Sequence, residues 1–464
     1  MSLWTLKEIH KALNIKKLIS ENLLFNGVSI DSRTIKQGDL YIPIKGEKFD
    51  GHDFIDEALK KGASASLIKF NHRKSFKINQ PLIYVKDTKE SLAKLASYSR
   101  QRIKKLTTIC ITGSSGKTTL KEWVYKIIKN SRETYSNSGN LNNDIGMPLT
   151  LVNMPKKTEV CILELGMNSP GEIKRLAKIA KPNISIITNI GSAHSGNFKK
   201  LDQIAKEKSD IFSFLDSKGI AIIPRENKYF NMILKKAKKR TKKIYSFGSS
   251  EKCQIRMQED QRKKGFWNFR IFNKVLKIEN KIFFLNWATN IALVLGLARI
   301  LKIKSNNIIL KIKELRPING RGNYSKIRIQ KKSIILIDES YNSSPESLIR
   351  SIKNLSNFNS KHSRRICVIG DMLELGVMSE KMHLSIVKTL EKNKPDIVIT
   401  VGVFSRVIFD NLSGKFKKFH YKNYKNVLNK LLNIIKNKDI IMIKGSNSTN
   451  LHLVSKGLVS YRLG

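Results

Sequence analysis

Short apolar runs alternate with amphipathic segments along the chain beyond about residue 105. The apolar runs have the length of buried strands, and the segments between them repeat apolar residues at helical spacing. The predicted strands are 108–112, 160–165, 184–190, 220–223, 334–338, 366–370, 397–402 and 440–444, with helices such as 118–129 and 171–180 between them. This alternation predicts an α/β fold whose largely parallel sheets carry helices on both faces.

Two changes in this pattern divide the chain. The first residues hold short strands at 28–30 and 40–44, and a helix follows from about 87 to 104, with Asp87 or Thr88 as its N-cap. A helix ends at Leu315-Arg316-Pro317, because proline cannot continue it. We therefore predict a small N-terminal α/β domain at 1–84, a central domain at 85–316 and a C-terminal α/β domain at 317–464.

The composition is that of a folded, non-membrane protein. Hydrophobic residues make up 41% of the 464 residues, which is enough for real cores. No apolar run reaches the roughly 18 residues of a membrane span, and the charged N-terminus lacks a signal-peptide core, so we expect a cytoplasmic protein. The four cysteines form no CxxC pair, and three of them lie in strand-like runs, which favours reduced core thiols.

The charge balance leaves two interpretations open. The chain has 87 Lys and Arg against 37 Asp and Glu, a net charge of +50. Such a surface attracts polyanions, including nucleic acids. The Lys-, Ile- and Asn-rich composition also fits compositional drift, in which the positive charge has no function. The basic runs 235–243 and 415–425 lack the interleaved aromatic residues of a base-stacking surface.

A phosphate-binding loop follows the first strand beyond residue 105. Its sequence is Thr-Gly-Ser-Ser-Gly-Lys-Thr-Thr at 112–119. Glycines let backbone N–H groups turn toward phosphate oxygens, and the start of the next helix adds partial positive charge. The predicted ATP-binding residues are Gly113, Ser114, Ser115, Gly116, Lys117, Thr118 and Thr119. Lys117 is placed to reach the β- and γ-phosphates, and the Thr118 hydroxyl to hold Mg²⁺.

This short loop and several later motifs resemble those of the Mur ligase superfamily. The matching segments are 140–150, 164–168, 188–194, 320–321, 338–342, 370–376 and 444–446. The resemblance implies a uridine-nucleotide domain at the N-terminus, a central P-loop ATPase domain and a Rossmann-like C-terminal domain. It also implies an ATP-dependent ligase of peptidoglycan synthesis, which joins a carboxylate to an amine through an acyl phosphate.

Two motifs narrow the implied substrates. Ser-Tyr-Asn-x-x-Pro at 340–345 and Gly-Asp-Met-x-Glu-Leu-Gly at 370–376 resemble the member that uses UDP-N-acetylmuramoyl-tripeptide and D-alanyl-D-alanine. No nucleic-acid partner, membrane span or obligatory oligomer is implied. One alternative is the diaminopimelate- or lysine-adding member, which usually has Asp-Asn-Pro-Arg, a tetrapeptide missing from this sequence. The other is a nucleic-acid-binding NTPase, although no RNA-binding module is recognisable.

The resemblance assigns metal ligands and catalytic residues. Glu164 and His194 each follow a predicted strand, and the carboxyl ends of parallel strands converge at one sheet edge. Taken alone, they would be ordinary strand-end and loop residues; within these motifs they are expected, with Thr118, to bind Mg²⁺. Lys208 takes the place of a lysine that is carbamylated in the family, which gives a carbamate for a second Mg²⁺. Lys117, Lys208, His194 and Arg321 are the expected catalytic residues.

The remaining assignments concern the nucleotide and the peptide substrate. The resemblance places Asn290 at the adenine, Asp338 at the ribose, and Arg321 at the transferring phosphoryl group. It places the peptide substrate at Asn142 and Asn143, and the uridine nucleotide at Ser29, Asp31, Ser32 and Arg33. An Asp-Ser-Arg turn is also ordinary loop chemistry, so the residues alone leave this last site open.

Overall fold

A computed structural model describes residues 2–16, 23–75, 80–192, 195–198, 200–260, 266–279, 285–303, 308–356, 358 and 363–461 of the chain. These residues form three main sheets that follow one another along the sequence. We call the sheets with their helices the first, second and third units. Among the described helices, none is long and apolar enough to cross a membrane.

The first unit is a small parallel sheet with helices. Its elements are β1 (Trp4–Thr5), α1 (Leu6–Leu13), β2 (Leu24–Phe25), β3 (Gly27–Ser29), β4 (Asp39–Tyr41), α2 (Ile55–Lys60), β5 (Ala65–Lys69), β6 (Leu82–Val85) and α3 (Thr88–Gln101). Strands β3 to β6 pair in parallel in chain order, while β1 pairs with β2 antiparallel. Asp87 is the N-cap of α3, as predicted, because its Oδ1 accepts the backbone N–H of Glu90 at 2.8 Å.

The second unit carries the phosphate loop. Its elements are β7 (Thr107–Thr112), α4 (Lys117–Ile128), β8 (Thr134–Ser136), α5 (Gly146–Val152), β9 (Val160–Glu164), α6 (Glu172–Ala180), β10 (Ile184–Ile187), α7 (Leu201–Ser209), β11 (Ile220–Pro224), α8 (Phe230–Lys238), β12 (Lys243–Gly248), β13 (Ile255–Glu259), β14 (Phe266–Ile271), β15 (Lys274–Glu279), α9 (Leu285–Ile300) and α10 (Ile308–Glu314). The strand order is β15-β14-β13-β12-β11-β10-β7-β9-β8. Strands β7 to β13 are parallel, which confirms the predicted, largely parallel sheet. Strands β14 and β15 add antiparallel strands, and they were not predicted, nor were β8, β12 and β13.

The third unit is a six-stranded sheet. Its elements are β16 (Asn323–Ile329), β17 (Lys332–Glu339), α11 (Pro345–Ser356), β18 (Arg365–Gly370), α12 (Ser379–Asn393), β19 (Ile397–Val401), α13 (Arg406–Asn411), β20 (Lys417–Tyr421), α14 (Val427–Ile434), β21 (Ile440–Lys444) and α15 (Leu451–Ser460). The strand order is β16-β17-β21-β18-β19-β20, and only β16 is antiparallel to its neighbour. The three-unit α/β architecture predicted from the sequence is confirmed.

Buried β-branched strands form the centre of the larger sheets. Every residue of β9 and β10 is buried, because helices cover both faces of the sheet. All four cysteines are free and buried, which confirms that they are reduced core thiols. Burial raises the pKa of the Cys161 and Cys367 thiols to about 12, so these side chains are uncharged packing groups.

Side chains fasten the three units together. The Asn153 side chain, just after α5, bonds both the N–H and the C=O of Val28 in β3, at 2.9 and 2.8 Å. Trp123 in α4 donates its indole N–H at 2.9 Å to the carbonyl of Arg316, which lies in the connection between the second and third units. Ser192 of the second unit donates hydrogen bonds to the Glu346 carboxylate of the third. The predicted domain boundary at 316/317 falls between sheets, whereas the one at 84/85 falls one residue before the end of β6. As boundaries, both stay predictions.

Candidate functional site

The phosphate loop joins β7 to α4, and two of its glycines have backbone conformations that side chains rarely adopt. Gly113 has φ +148°, and a Cβ there would overlap the Thr188 hydroxyl. Gly116 has φ +81° and caps the start of α4, whose first residue is Lys117. Gly113 is therefore required by both conformation and space, and Gly116 by its conformation.

A neighbouring loop after β10 braces the phosphate loop. Asn189 Oδ1 accepts the Ser115 N–H at 2.8 Å, and Asn189 Nδ2 donates to Ser115 Oγ at 2.7 Å. Ser114 Oγ donates to the Gly191 carbonyl at 3.0 Å and accepts the Gly191 N–H at 2.9 Å. The predicted motif at 188–194 and the phosphate loop are therefore one structural element.

Lys117 lies at the mouth of the loop. Its Nζ donates to the Gly113 carbonyl at 2.9 Å. Burial lowers the pKa of Lys117; nearby Glu164 opposes that shift and Arg321 reinforces it. Three residues from separate predicted motifs thus interact electrostatically at one place.

Glu164 ends β9 and presents a carboxylate to this place. It is 2% exposed, and its Oε1 accepts a hydrogen bond from Asn142 Nδ2 at 2.9 Å. Its Oε2 has no hydrogen-bond partner within the described part of the chain. A buried, unsatisfied carboxylate oxygen is costly unless a cation binds it, so the residue fits the predicted metal role. His194 lies outside the described residues, and its role stays a prediction.

A fully buried polar network holds Glu164, and the sequence interpretation did not identify it. Asn137 Oδ1 accepts the Glu164 N–H at 2.9 Å, and Asn137 Nδ2 donates to the Leu141 carbonyl at 2.9 Å. Lys121 of α4 donates its ammonium to the Asn137 carbonyl. Both Lys121 and Asn137 are 0% exposed. A lysine among the apolar positions of a predicted helix was the available signal.

Lys208 is enclosed near the same centre. It lies in α7 and is 1% exposed. Burial is the main reason that its pKa is held well below the usual value, and the positive charge of Lys117 lowers it further, while Glu207 and Glu164 oppose the shift. Lys206, two residues earlier, is exposed.

A cleft of about 810 Å³ lies between the second and third units. The residues predicted from the sequence that line it are Ser114, Ser115, Gly116, Lys117, Thr118, Thr119, Asn142, Glu164, Asn290 and Arg321. Asn290 is buried beside Gly116, 3.6 Å from the position a Cβ would take there. The Arg321 guanidinium carbon lies 4.0 Å from the centre of the Tyr341 ring.

The third unit contributes lining residues to which the sequence analysis gave no role, including Glu339, Glu346, Arg350 and Lys444. Of these, Glu339 and Lys444 lie in the matching segments 338–342 and 444–446. Glu339 receives a hydrogen bond from Lys444 Nζ at 3.0 Å. Its neighbour Asp338, the predicted ribose contact, instead accepts the Ser340 N–H at 3.1 Å and the Ser340 hydroxyl at 2.6 Å, and it is outside the residues that line the cleft. The geometry therefore favours Glu339 over Asp338 as a ligand contact.

The predicted uridine-nucleotide residues form one turn of the first unit, away from the cleft lining. Arg33 makes two hydrogen bonds to the Asp31 carboxylate, at 2.9 and 2.7 Å. This partner is the main reason that the pKa of Asp31 falls to about 2. Ser29 Oγ donates to the Asp31 carbonyl at 3.1 Å, and Ser32 Oγ donates to Glu57 at 3.2 Å. The turn is internally paired, and its ligand role stays a prediction.

Asn143 differs from its neighbour Asn142. Its Oδ1 accepts the Gly146 N–H at 2.8 Å, at the start of α5. It is exposed and is outside the residues that line the cleft. The structure therefore gives Asn143 a local structural contact, and its predicted contact with the substrate stays untested.

Family models match most of the chain. The Mur ligase family, catalytic domain model covers residues 24–100, the Mur ligase middle domain model covers 111–298, and the Mur ligase, glutamate ligase domain model covers 326–447. The UDP-N-acetylmuramoyl-tripeptide–D-alanyl-D-alanine ligase of Rickettsia prowazekii is 33% identical over 97% of this chain and 98% of its own.

Solved structures show the same arrangement. MurF from Acinetobacter baumannii superposes with a TM-score of 0.86 at 26% identity, covering 98% of this chain and 99% of its own. MurF ligase from Thermotoga maritima, solved in complex with ADP, gives a TM-score of 0.81 at 27% identity, with 94% and 98% covered. The fold, the three matched domains and the full-length similarity lead to one conclusion: the chain belongs to the Mur ligase family.

Proposed function

We propose that this protein is an ATP-dependent ligase that adds D-alanyl-D-alanine to UDP-N-acetylmuramoyl-tripeptide in peptidoglycan precursor synthesis. The observation that carries the proposal is the cleft in which the phosphate loop and Glu164 of the second unit face Arg321 of the third. The substrates follow from the name of the Rickettsia prowazekii ligase, which matches along its full length. ATP and nucleotide-linked precursors are made in the cytoplasm, so the proposed reaction belongs there.

The proposed reaction has two steps. An oxygen of the tripeptide carboxylate attacks the γ-phosphorus of ATP, and the bond to the β,γ-bridging oxygen breaks to release ADP. The dipeptide amine then attacks the acyl carbon, loses a proton, and expels phosphate that carries one carboxylate oxygen. Both reactants are anionic, so Lys117, Arg321 and the N–H groups of the phosphate loop would offset their charge in the first step.

Magnesium is the cofactor that the donor set fits. Glu164 offers an unpaired carboxylate oxygen, and Thr118 offers a hydroxyl at the start of α4. Hard oxygen donors of this kind suit Mg²⁺, and His194 and a carbamylated Lys208 would complete the two proposed sites. When bound, Mg²⁺ supplies positive charge that draws the two anionic substrates together.

Carbamylation of Lys208 is part of this proposal. The neutral amine nitrogen attacks the carbon of CO₂, a C–N bond forms, and one proton leaves. The lowered pKa supports it, because a larger fraction of the amine is neutral. The burial of Lys208 beside Glu164 and Lys117 supports it further, because a carbamate replaces a buried cation with a possible metal ligand.

The remaining binding assignments extend this proposal to each unit. Residues 1–84 would bind the uridine nucleotide through the turn that contains Asp31 and Arg33. Residues 85–316 would bind ATP, with Asn290 near the base, and residues 317–464 would bring Arg321 and the dipeptide to it. We propose Glu339 as the ribose contact, because it lines the cleft and Asp338 does not.

A phosphate-release assay tests the proposal. Release should require ATP, Mg²⁺, the UDP-linked tripeptide and D-alanyl-D-alanine together, and RNA should not stimulate it. With ¹⁸O in the tripeptide carboxylate, one labelled oxygen should appear in the released phosphate. RNA-stimulated hydrolysis without the peptide substrates would instead favour a nucleic-acid-dependent NTPase.

A further inference from the structure

Glu346 makes a direct connection between the third unit and the loop after β10. It lies in the first turn of α11, and its side chain lines the cleft. Its Oε1 accepts the Ser192 N–H at 2.8 Å, and its Oε2 accepts the Ser192 hydroxyl hydrogen bond at 2.9 Å. Ser192 is 1% exposed. Both carboxylate oxygens therefore bind one buried residue of another unit.

This contact ends one residue from the brace of the phosphate loop. Gly191, next to Ser192, exchanges two hydrogen bonds with the Ser114 side chain. A Cβ on Gly191 would lie 3.0 Å from the Glu346 carboxyl carbon, so the close approach depends on a residue without a side chain. A displacement of Glu346 would thus be transmitted through Ser192 and Gly191 to Ser114.

A second contact flanks the same loop. The Gly196 N–H donates to the Glu374 carbonyl of the third unit at 2.8 Å. The two contacts lie on either side of residues 193–194, which are outside the described part of the chain. Within the described residues, the third unit therefore contacts the loop at these two points, and the Glu346 contact is made by a charged side chain that a substitution can remove.

We propose that Glu346 is a positioning residue, which sets the phosphate loop for ATP only when the third unit is seated against the second. Charge-assisted hydrogen bonds to a buried partner are strong and directional, so they fix the loop more firmly than neutral contacts. The proposal rests on the proposed function only in taking ATP as the ligand of the loop. It predicts that ATP affinity depends on a residue outside the phosphate loop and its own sheet.

The experiment measures ATP binding by calorimetry with Mg²⁺ and no peptide substrate, so its result is independent of which ligase reaction follows. Glu346→Ala should weaken ATP binding by about tenfold, and Ser192→Ala, which keeps the backbone N–H bond to Oε1, should weaken it by less. The double variant should be no weaker than Glu346→Ala alone. Glu346→Gln, which keeps one acceptor oxygen, should bind ATP with an intermediate affinity and guards against misfolding of the alanine variant. Unchanged melting temperatures would distinguish positioning from general destabilisation.

Glu380→Ala is the matched control, since Glu380 is an exposed acid in the first turn of α12 of the same unit. It should bind ATP as the unsubstituted protein does. The proposal is overturned if Glu346→Ala binds ATP normally, if the Glu346 and Ser192 effects multiply in the double variant, or if Glu380→Ala shows the same loss. Loss of ligase turnover with normal ATP binding would also overturn it.

Discussion

Asn142 donates a hydrogen bond to Glu164 Oε1 at 2.9 Å, which leaves Oε2 as an unpartnered buried oxygen among the described residues. The two residues come from separate motifs, one interpreted as substrate-binding and the other as metal-binding. The amide holds one oxygen of a carboxylate that lines the cleft and leaves the other oxygen unpaired. The predicted substrate-binding segment and the predicted metal ligand are therefore in direct contact, and a substitution in either should alter Mg²⁺ binding.

Substitution of either residue of this pair should lower the apparent affinity for Mg²⁺, and the two substitutions should differ in the size of the effect. Glu164→Gln removes the charge and should raise the Mg²⁺ concentration for half-maximal turnover by more than about 100-fold, whereas Asn142→Ala should raise it by about tenfold. Magnesium titrations of phosphate release give both values. Glu159→Gln, an exposed residue just before the other end of β9, is the control and should change neither. Equal effects of the control and Glu164→Gln would contradict this role.

Lys121 is buried in the core, and its substitution should also lower the apparent affinity for Mg²⁺. Lys121→Met keeps the length of the side chain but removes its hydrogen bond to the Asn137 carbonyl. The Asn137 turn and Glu164 should then lose their fixed position, and half-saturation by Mg²⁺ should rise by about tenfold. Lys126→Met, exposed on the same helix, provides the comparison. If the two variants titrate alike, the buried network does not position Glu164.

Lys208 and Lys206 provide a pair that differs in burial. Lys208→Ala should lower turnover by more than about tenfold, and acetate or formate should restore part of it by taking the place of the carbamate. Lys206→Ala should remain active, because that side chain is exposed. Phosphate release with and without added carboxylate measures this. Full activity of Lys208→Ala, or an inactive Lys206→Ala, would rule out the assignment.

His10 should make stability depend on pH. It is 3% exposed in α1, neither ring nitrogen has a partner among the described residues, and burial lowers its pKa below the usual value. On acidification the unfolded chain takes up the proton first, so stability from the neutral ring is complete above about pH 6.5 and is lost as pH falls through the lower folded pKa.

His10→Leu removes this titration. The melting temperature of the variant, relative to the unsubstituted protein, should therefore be higher at about pH 5 than at about pH 8. The same difference at both pH values would show that His10 does not titrate differently on folding. Thermal melts at the two pH values are sufficient, because turnover is not involved.

The strands that carry the chemistry were predictable because they are continuous apolar runs bounded by motif residues. The antiparallel strands β14 and β15 were not, since their apolar residues alternate with polar ones and form no continuous apolar run. The same limit applied at the end of β17. The family resemblance suggested Asp338, but only the three-dimensional structure shows that this carboxylate bonds Ser340 while Glu339 lines the cleft.

Contacts between units were beyond the reach of sequence reasoning for a different reason. Glu346 and Ser192 are 154 positions apart, and neither residue type in its own segment signals the other. Lys121 had a local signal, because it is a charged residue at an apolar position of the helix. Its contact with Asn137, however, depends on where β8 ends in the folded structure. Motifs therefore predict which residues act on the substrate, whereas the residues that hold them in place emerge from packing.

The most direct test of the central claim is the mass of the product. The protein is incubated with ATP, Mg²⁺, UDP-N-acetylmuramoyl-tripeptide and D-alanyl-D-alanine, and the UDP-linked material is analysed by mass spectrometry. We predict one product, the tripeptide substrate joined to one dipeptide with loss of one water, and none when diaminopimelate or lysine replaces the dipeptide. An unchanged UDP-linked substrate after ATP has been consumed, or a product formed with either diamino acid instead, would contradict the account.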